Sequence, residues 1–138
     1  MASADGPLRS ALTRVGDRWT LLVVQAMLEG PRRFNDLQRE VAGIAPNVLS
    51  QRLRQLEEDG LIVAAPYSAR PVRLSYHLTS AGSSLAGALR LLSQWGADHA
   101  GADGVVHDRC GTVAEARWWC PTCDRVVADD ELAELRWV

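Results

Sequence analysis

The sequence contains no lysine, so all 15 of its basic residues are arginine. An arginine guanidinium binds a phosphate group or a guanine through two parallel hydrogen bonds, which a lysine ammonium cannot do. A codon preference for Arg and Ala is the alternative explanation. The formal net charge is only -2 and the pI is about 5.9, so the average composition does not point to a polyanionic partner.

The chain also lacks a long hydrophobic run. Its longest dense apolar stretch, residues 19–28, is too short to span a bilayer. Residues 1–10 contain no basic segment followed by an apolar one, which is the pattern of a secretory signal. These absences predict no membrane association and a cytoplasmic location. With 138 residues, of which 47% are hydrophobic, the chain can bury one main core.

Cysteine is absent from the first 109 residues, and Cys110, Cys120 and Cys123 are crowded near the C-terminus. In a cytoplasmic protein this crowding favours metal or redox chemistry over a disulfide framework. The charge balance changes in the same region. Residues 1–100 hold 11 Arg and 9 acidic residues, whereas residues 101–138 hold 4 Arg and 8 acidic residues. We therefore predict a main domain at residues 1–100 and a C-terminal extension at residues 101–138.

Apolar periodicity predicts three helices in the first third of the chain. Residues 7–15 carry apolar side chains at helical spacing, residues 19–29 are apolar on nearly every side, and residues 34–41 have a one-sided apolar stripe. Asp17 is placed to cap the second helix, and Gly30 followed by Pro31 ends it.

A fourth predicted helix, Pro46–Glu58, has two different sides. Proline suits its first position, where a missing N–H has no partner to lose. At about 100° per residue, three leucines fall within a narrow arc: Leu49, Leu53 and Leu56. The opposite side is polar and carries Asn47, Gln51, Arg54 and Gln55, with Ser50 at its margin. The leucines therefore predict the buried side, and the polar residues predict the free side.

The next segment is predicted to form a β-hairpin followed by a helix. Residues 61–65 are a short apolar run, residues 66–71 are predicted to be a loop, and Val72–Leu78 alternates apolar and polar side chains. Thr79 is placed to cap a helix over residues 80–99, which is apolar on two sides. The predicted fold class is therefore mainly α with a small β-hairpin (α+β).

The short third helix, the turn at Gly43 and the fourth helix together predict a helix-turn-helix, to which the hairpin adds a wing. In this motif the second helix lies in the major groove of DNA, and its free side contacts base edges. Arg pairs with guanine, Asn or Gln with adenine, and Ser with either base. A polar face that is merely solvated is the alternative.

Arginines outside the fourth helix favour the DNA-binding interpretation. Arg32 and Arg33 stand at the predicted start of the third helix, Arg70 at the hairpin tip and Arg73 on its second strand. A winged helix-turn-helix meets the phosphate backbone or the minor groove at these places, and such contacts supply most non-specific affinity.

Residues 15–40, 43–62 and 73–82 resemble the HxlR type of winged-helix bacterial regulators, which is related to the MarR type. The resemblance covers about residues 8–100. It implies a homodimer, paired through the N-terminal and post-wing helices, that binds an inverted repeat near a promoter. We expect a repressor that a small-molecule effector releases from its operator. The candidate DNA-contacting set is Arg32, Arg33, Pro46, Asn47, Ser50, Gln51, Arg52, Arg54, Arg70 and Arg73.

The sequence departs from the family pattern at three places. Ala45 precedes Pro46 where the family usually has a capping Ser, which lowers helix stability by about 1 kcal/mol. Ala64 and Ala65 stand where a basic residue is common, so wing contacts rest on the two wing arginines. Several members sense oxidants or electrophiles through a cysteine just before the first helix, and this chain has none there.

The C-terminal extension contains two pairs of metal-binding residue types. Two residues separate His107 from Cys110, and two residues separate Cys120 from Cys123. Two such pairs on tight turns suit a closed tetrahedral zinc site and resemble a zinc-ribbon knuckle, so a structural Zn²⁺ is the predicted cofactor. A tail of this length buries too little core to fold firmly alone, and a metal would compensate. A metal-free reduced tail and a Cys120–Cys123 redox pair are the alternatives.

The candidate effector site consists of aromatic residues. Trp19, Trp95 and Trp118 are candidates to wall an apolar cavity between the winged domain and the dimer helices, with ordinary core packing as the alternative. We predict no enzymatic activity, because no nucleophile with a plausible base and no glycine-rich phosphate loop is visible. Two other functions stay open: a regulator switched by metal or oxidant through its Cys/His tail, and a protein-interaction module on a winged-helix scaffold.

Overall fold

A computed structural model describes residues 6–136, and these residues form two compact units that divide between Leu89 and Arg90. Residues 1–5 and 137–138 lie outside the described part of the chain. The prediction that residues 1–10 contain no secretory signal therefore falls half outside the described residues. The division differs from the sequence-based boundary, which was placed after residue 100.

The first unit is mainly helical, and its helices follow the predicted pattern closely. Across the described chain the α-helices are α1 (Pro7–Val15), α2 (Thr20–Met27), α3 (Phe34–Glu40), α4 (Pro46–Glu58), α5 (Ser80–Ser83) and α6 (Ala86–Ala100). α4 has the bounds that the sequence predicted. Its N-cap residue, Ala45, makes no side-chain cap hydrogen bond, which confirms the expected loss of a cap.

Local hydrogen bonds explain where α1 ends and α2 begins. The N–H of Gly16 donates to the Leu12 carbonyl at 2.8 Å and closes α1. One carboxylate oxygen of Asp17 then accepts from the N–H groups of Trp19 and Thr20, at 2.9 and 3.1 Å. Asp17 therefore caps α2 as predicted, because it pairs N–H groups that have no partner inside the helix.

The hydrophobic core of the first unit is centred on the leucine row of α4. Leu49, Leu53 and Leu56 each expose 2% or less of their surface. They belong to one cluster with residues of neighbouring segments, namely Val23, Val24, Met27, Leu37, Val41, Ile44, Ile62 and Leu89. Fully burying a side chain of this size stabilises the fold by about 1.5–3 kcal/mol, so this row fixes which side of α4 faces inward.

A three-stranded antiparallel sheet has the strand order β1–β3–β2, with β1 at Arg32–Arg33, β2 at Ile62–Ala69 and β3 at Val72–Leu78. The β2–β3 hairpin is the wing. The sequence predicted residues 66–71 as a loop, but β2 continues to Ala69. Pro66 is accommodated because β2 is an edge strand, where a residue without an N–H is tolerated.

The helix predicted over residues 80–99 is interrupted, because α5 ends at Ser83 and α6 begins at Ala86. In the interruption, the hydroxyl of Ser84 donates to the Ala81 carbonyl at 2.6 Å. Such local bonds from a serine side chain to the backbone compete with regular helix geometry. The sequence pattern missed this break because the apolar periodicity continues across it.

Thr79 and Gly82 hold α5 against the residues just before β2. The Thr79 hydroxyl accepts from the Gly82 N–H at 3.2 Å and donates to the Gly60 carbonyl at 2.7 Å, so the predicted cap is confirmed. Gly82 is buried, and a Cβ atom at this position would lie 2.1 Å from the Leu61 carbonyl oxygen. The contact between α5 and this segment therefore requires a residue without a side chain.

The second unit contains two short hairpins and a 3₁₀ helix: β4 (Val106–His107) pairs with β5 (Thr112–Val113), β6 (Trp119–Cys120) pairs with β7 (Arg125–Val126), and Asp129–Glu134 forms the 3₁₀ helix. The Gln94 side chain in α6 accepts from the Val105 N–H at 3.1 Å. This bond ties the second half of α6 to the tail, which explains the earlier division. In residues 90–136 no side chain is fully buried.

Helices with one small sheet make up the first unit, and the predicted fold class, a mainly α winged helix-turn-helix, is confirmed. Within residues 6–136, no helix combines the length and the hydrophobicity that crossing a membrane requires.

We expect Gly82→Ala to lower the free energy of unfolding by about 1–3 kcal/mol, because the added methyl group collides with backbone. Gly87→Ala is the matched control, since no atom lies within 4 Å of a Cβ built there. Gly87 lies in the first turn of α6, so that change should leave the stability unchanged or raise it by less than about 1 kcal/mol, because Ala forms helix better than Gly. Urea unfolding followed by circular dichroism measures both, and equal stabilities would contradict the close packing of Gly82.

Candidate nucleic-acid interface

The free side of α4 is the first component of the candidate site. Asn47, Ser50, Gln51 and Arg54 are all exposed, as the position of the leucine row predicts. Within residues 6–136, the side chains of Asn47, Gln51 and Arg54 make no hydrogen bond or ion pair with the rest of the protein. Their donors and acceptors are therefore available to an external partner.

The two arginines of β1 have different roles in the structure. The Nε atom of Arg32 donates to both carboxylate oxygens of Glu40, at 2.8 and 3.1 Å, and its side chain is only 21% exposed. Arg33 is exposed, and its guanidinium lies 4.3 Å from the centre of the Tyr67 ring. Both were expected at the start of the third helix, but they precede it as a short strand. Arg32 is occupied by an internal ion pair, whereas Arg33 is presented at the surface.

A groove between α3 and the wing contains the second group of basic side chains. Its lining includes Arg33, Asn35, Gln38, Arg39, Tyr67 and Arg73. Arg39 pairs with Asp36, the acidic member of the lining. The backbone N–H of Arg33, followed by the Arg39 side chain, holds the pKa of the Asp36 carboxyl below its ordinary value.

Three residues of this groove were not predicted from the sequence: Asn35, Gln38 and Tyr67. Tyr67 was placed in a predicted loop, although it lies in β2 and stacks with Arg33. The signal that would have identified Tyr67 is an aromatic residue on a wing strand near a basic strand. This signal is visible only when β2 is extended to Ala69. Arg70, at the tip of the wing, is exposed as predicted.

Arg52 differs from the other arginines of the predicted set. Its Nε atom lies 3.3 Å from a carboxylate oxygen of Asp17, and its side chain is 33% exposed. The Nε atom is shielded from solvent, and the contact is an ion pair without hydrogen-bond geometry. The structure therefore directs Arg52 toward the α1–α2 junction, which separates it from the free side of α4.

Asp17 is the centre of a local polar network. Burial by itself raises the Asp17 pKa, but this effect is outweighed. Hydrogen bonds from the Thr20 hydroxyl and from the N–H groups of Trp19 and Thr20, together with the charge of Arg52, hold the pKa below its ordinary value of 3.8. The ionised carboxylate is thus the form that the folded protein favours.

The predicted metal ligands form two separate pairs in the second unit. The His107 Nδ1 atom lies 3.2 Å from the Cys110 sulfur, and hydrogen bonds from Thr112 lower the Cys110 pKa. Hydrogen bonds from Cys123, the backbone one first, lower the pKa of Cys120, and the Cys120 side chain raises that of Cys123. In residues 6–136, no three His, Cys, Asp or Glu side chains lie close enough together to hold a metal ion.

The three tryptophans proposed for an effector pocket have different surroundings. Trp19 is partly buried against the core of the first unit, and the Arg18 guanidinium lies 4.7 Å from its ring. Trp95 and Trp118, in the second unit, are 63% and 58% exposed. Trp95 stacks with His99, with ring centres 4.1 Å apart. The effector pocket stays a prediction.

Comparison with known proteins identifies relatives over most of the chain. Residues 14–103 match the model of a family described as HxlR-like helix-turn-helix. An uncharacterized HTH-type transcriptional regulator of Mycobacterium tuberculosis is 42% identical over 118 residues, which cover 82% of this chain and 74% of that protein.

Two solved structures share the architecture. The reduced form of the redox regulator HypR matches with a TM-score of 0.64 and 29% identity, over 68% of this chain and 93% of that one. A MarR-family transcriptional regulator from Porphyromonas gingivalis W83 matches with a TM-score of 0.65 and 26% identity, over 70% of this chain and 94% of that one.

We expect Asp17→Asn to destabilise the protein near neutral pH and to have little effect in acid. A carboxyl whose pKa is lowered on folding contributes stability above its unfolded pKa, and that contribution is lost as the pH falls through the folded value. The difference in free energy of unfolding between wild type and variant should therefore shrink as the pH drops below 3.8. Urea unfolding across this range measures it, and a constant difference would contradict the assignment.

Proposed function

The chain belongs to the HxlR-like helix-turn-helix family, and on this premise we propose that it binds double-stranded DNA as a homodimeric transcriptional regulator. The relatives named above are transcriptional regulators and not enzymes, which agrees with the absence of a catalytic motif in the sequence. A regulator of this kind acts in the cytoplasm, where its DNA is.

One observation carries the proposal: on the exposed polar side of α4, the side chains of Asn47, Gln51 and Arg54 make no hydrogen bond or ion pair within residues 6–136. A helix-turn-helix places this side in the major groove, where Arg54 would bind guanine and Asn47 or Gln51 would bind adenine. The groove between α3 and the wing offers Arg33 and Arg73 for phosphates. In a dimer, two copies of α4 would reach successive major grooves, about 34–36 Å apart, and so would require an inverted-repeat operator.

We further propose that binding represses transcription and that a small molecule releases the protein. A dimer bound to a promoter through this polar surface would block it, and an effector that moved the two α4 helices apart would release it. HypR is named as a redox regulator. In this chain the first cysteine is Cys110, so a redox response that used a thiol would have to use the tail.

The second proposal concerns the tail, for which we infer a structural Zn²⁺ bound by His107, Cys110, Cys120 and Cys123. Each pair stands at the turn of its own hairpin, with His107 at the end of β4 and Cys120 at the end of β6. Sulfur and imidazole donors in this number suit tetrahedral zinc. Binding would bring the two turns together and supply stability that the exposed tail lacks.

We expect Arg54→Ala to weaken binding to a duplex that the wild-type protein selects from a random DNA library by about 1–3 kcal/mol, while binding to a scrambled duplex changes much less. Arg33→Ala should weaken both duplexes alike and reduce the slope of log K against log salt by about 0.9, because one phosphate contact is lost. Fluorescence anisotropy at several salt concentrations measures both effects.

Arg109→Ala, which removes the same charge from the tail, is the control for these DNA-binding measurements. Equal losses on the selected and scrambled duplexes for Arg54→Ala would exclude base recognition by this residue. Failure of the wild-type protein to enrich any duplex would exclude the proposed function itself.

We expect the purified protein to contain about one zinc ion per chain by elemental analysis. Cys120→Ser should lower the zinc content strongly, because a closed site with three ligands is much weaker, whereas His99→Ala should leave it unchanged. Three freely titrating thiols and no metal in the wild-type protein would exclude the site.

A further inference from the structure

The position of Arg52 on α4 separates it from the residues assigned to DNA. At about 100° per residue, Arg52 lies roughly 70° from the centre of the leucine row, whereas Gln51 and Arg54 lie roughly 130–170° from it. This flank of α4 faces a cleft toward α1 that is also lined by Arg14, Glu58 and Asp59. The half-buried guanidinium and its shielded Nε atom agree with this position.

Asp17 lies where three helices meet, and its carboxylate contacts two of them, α2 and α4. It directly follows Gly16, whose N–H closes α1. It accepts hydrogen bonds from the first N–H groups of α2 and from the Thr20 hydroxyl. Arg52 adds a contact from α4 to the same oxygen that caps α2. The rotation and position of α4 are therefore tied to the α1–α2 junction by a charged contact as well as by its leucines.

We propose that Arg52 makes no contact with DNA and is a positioning residue, which holds α4 against Asp17 so that Gln51 and Arg54 face outward. The proposal rests on the function proposed above. Arg52 then does not belong to the residues that contact phosphates or bases, but holds the helix that carries them. Asp17, which lies outside the recognition helix, becomes a determinant of DNA affinity through the same contact.

The test compares Arg52→Gln, Asp17→Asn and the double variant on the duplex selected by the wild-type protein and on its scrambled form. Asn keeps an oxygen that can cap α2, so Asp17→Asn removes mainly the charge that holds Arg52. We expect each single variant to weaken binding to the selected duplex about tenfold, and the double variant to be no weaker than either single one. The salt slope should stay at the wild-type value, because no phosphate contact is lost.

Two further variants separate positioning from simple destabilisation. Thr20→Val removes a hydrogen bond to Asp17 but leaves the ion pair, so it should lower the melting temperature without changing the preference for the selected duplex. Arg52→Lys keeps the positive charge beside Asp17 and should restore most of the affinity. Circular dichroism confirms that each variant is folded at the assay temperature.

A fall of about 0.9 in the salt slope for Arg52→Gln would overturn the proposal, because it would show a direct phosphate contact. Wild-type affinity in Asp17→Asn, or additive losses in the double variant, would overturn it as well. If these results occur while the wild-type protein still selects a duplex, only the positioning role fails. If the wild-type protein selects none, the DNA-binding function fails and this inference fails with it.

Discussion

Burial of the α4 leucine row is the constraint on which the rest of the first unit depends. Three leucines at helical spacing leave almost no surface to solvent, so α4 cannot rotate without exposing them. Since the rotation of the helix is fixed, its opposite side is fixed as well. The polar residues on that side need no internal partner, and the α4 part of the candidate nucleic-acid interface depends on this packing.

Neighbouring side chains determine which arginines are paired inside the protein and which are exposed. Arg32 is occupied by Glu40 and Arg52 by Asp17, whereas Arg54 and Arg70 are exposed. A surface ion pair contributes little stability on its own. A half-buried pair that also meets a helix cap has a stronger effect on geometry, because it joins segments that are distant in the sequence. The number and the spacing of arginines in the sequence therefore overstate how many of their side chains are available to DNA.

The tail is held together differently from the first unit. Its hairpins are local structures, set by short turns, and its side chains remain largely exposed. Within residues 90–136 no side chain is fully buried, so no hydrophobic core holds the two hairpins together. The His107–Cys110 pair and the Cys120–Cys123 pair therefore stay separate in this part of the chain. A ligand that bonds to both pairs would supply the long-range contact that the apolar residues of this segment do not.

The sequence by itself determined the helices, their caps at Asp17 and Thr79, and the buried and free sides of α4, because these depend on periodicity and on neighbours a few residues away. Only the tertiary structure decided that Arg32 and Arg33 form an edge of the sheet, that β2 passes through Pro66, and that the helix after Thr79 breaks at Ser84. It also decided which arginines are free, because the partner of Arg52 is Asp17, which is far from it in the sequence. Contacts between residues so far apart in the sequence produce no periodic pattern, because they arise only when packing brings the two segments together.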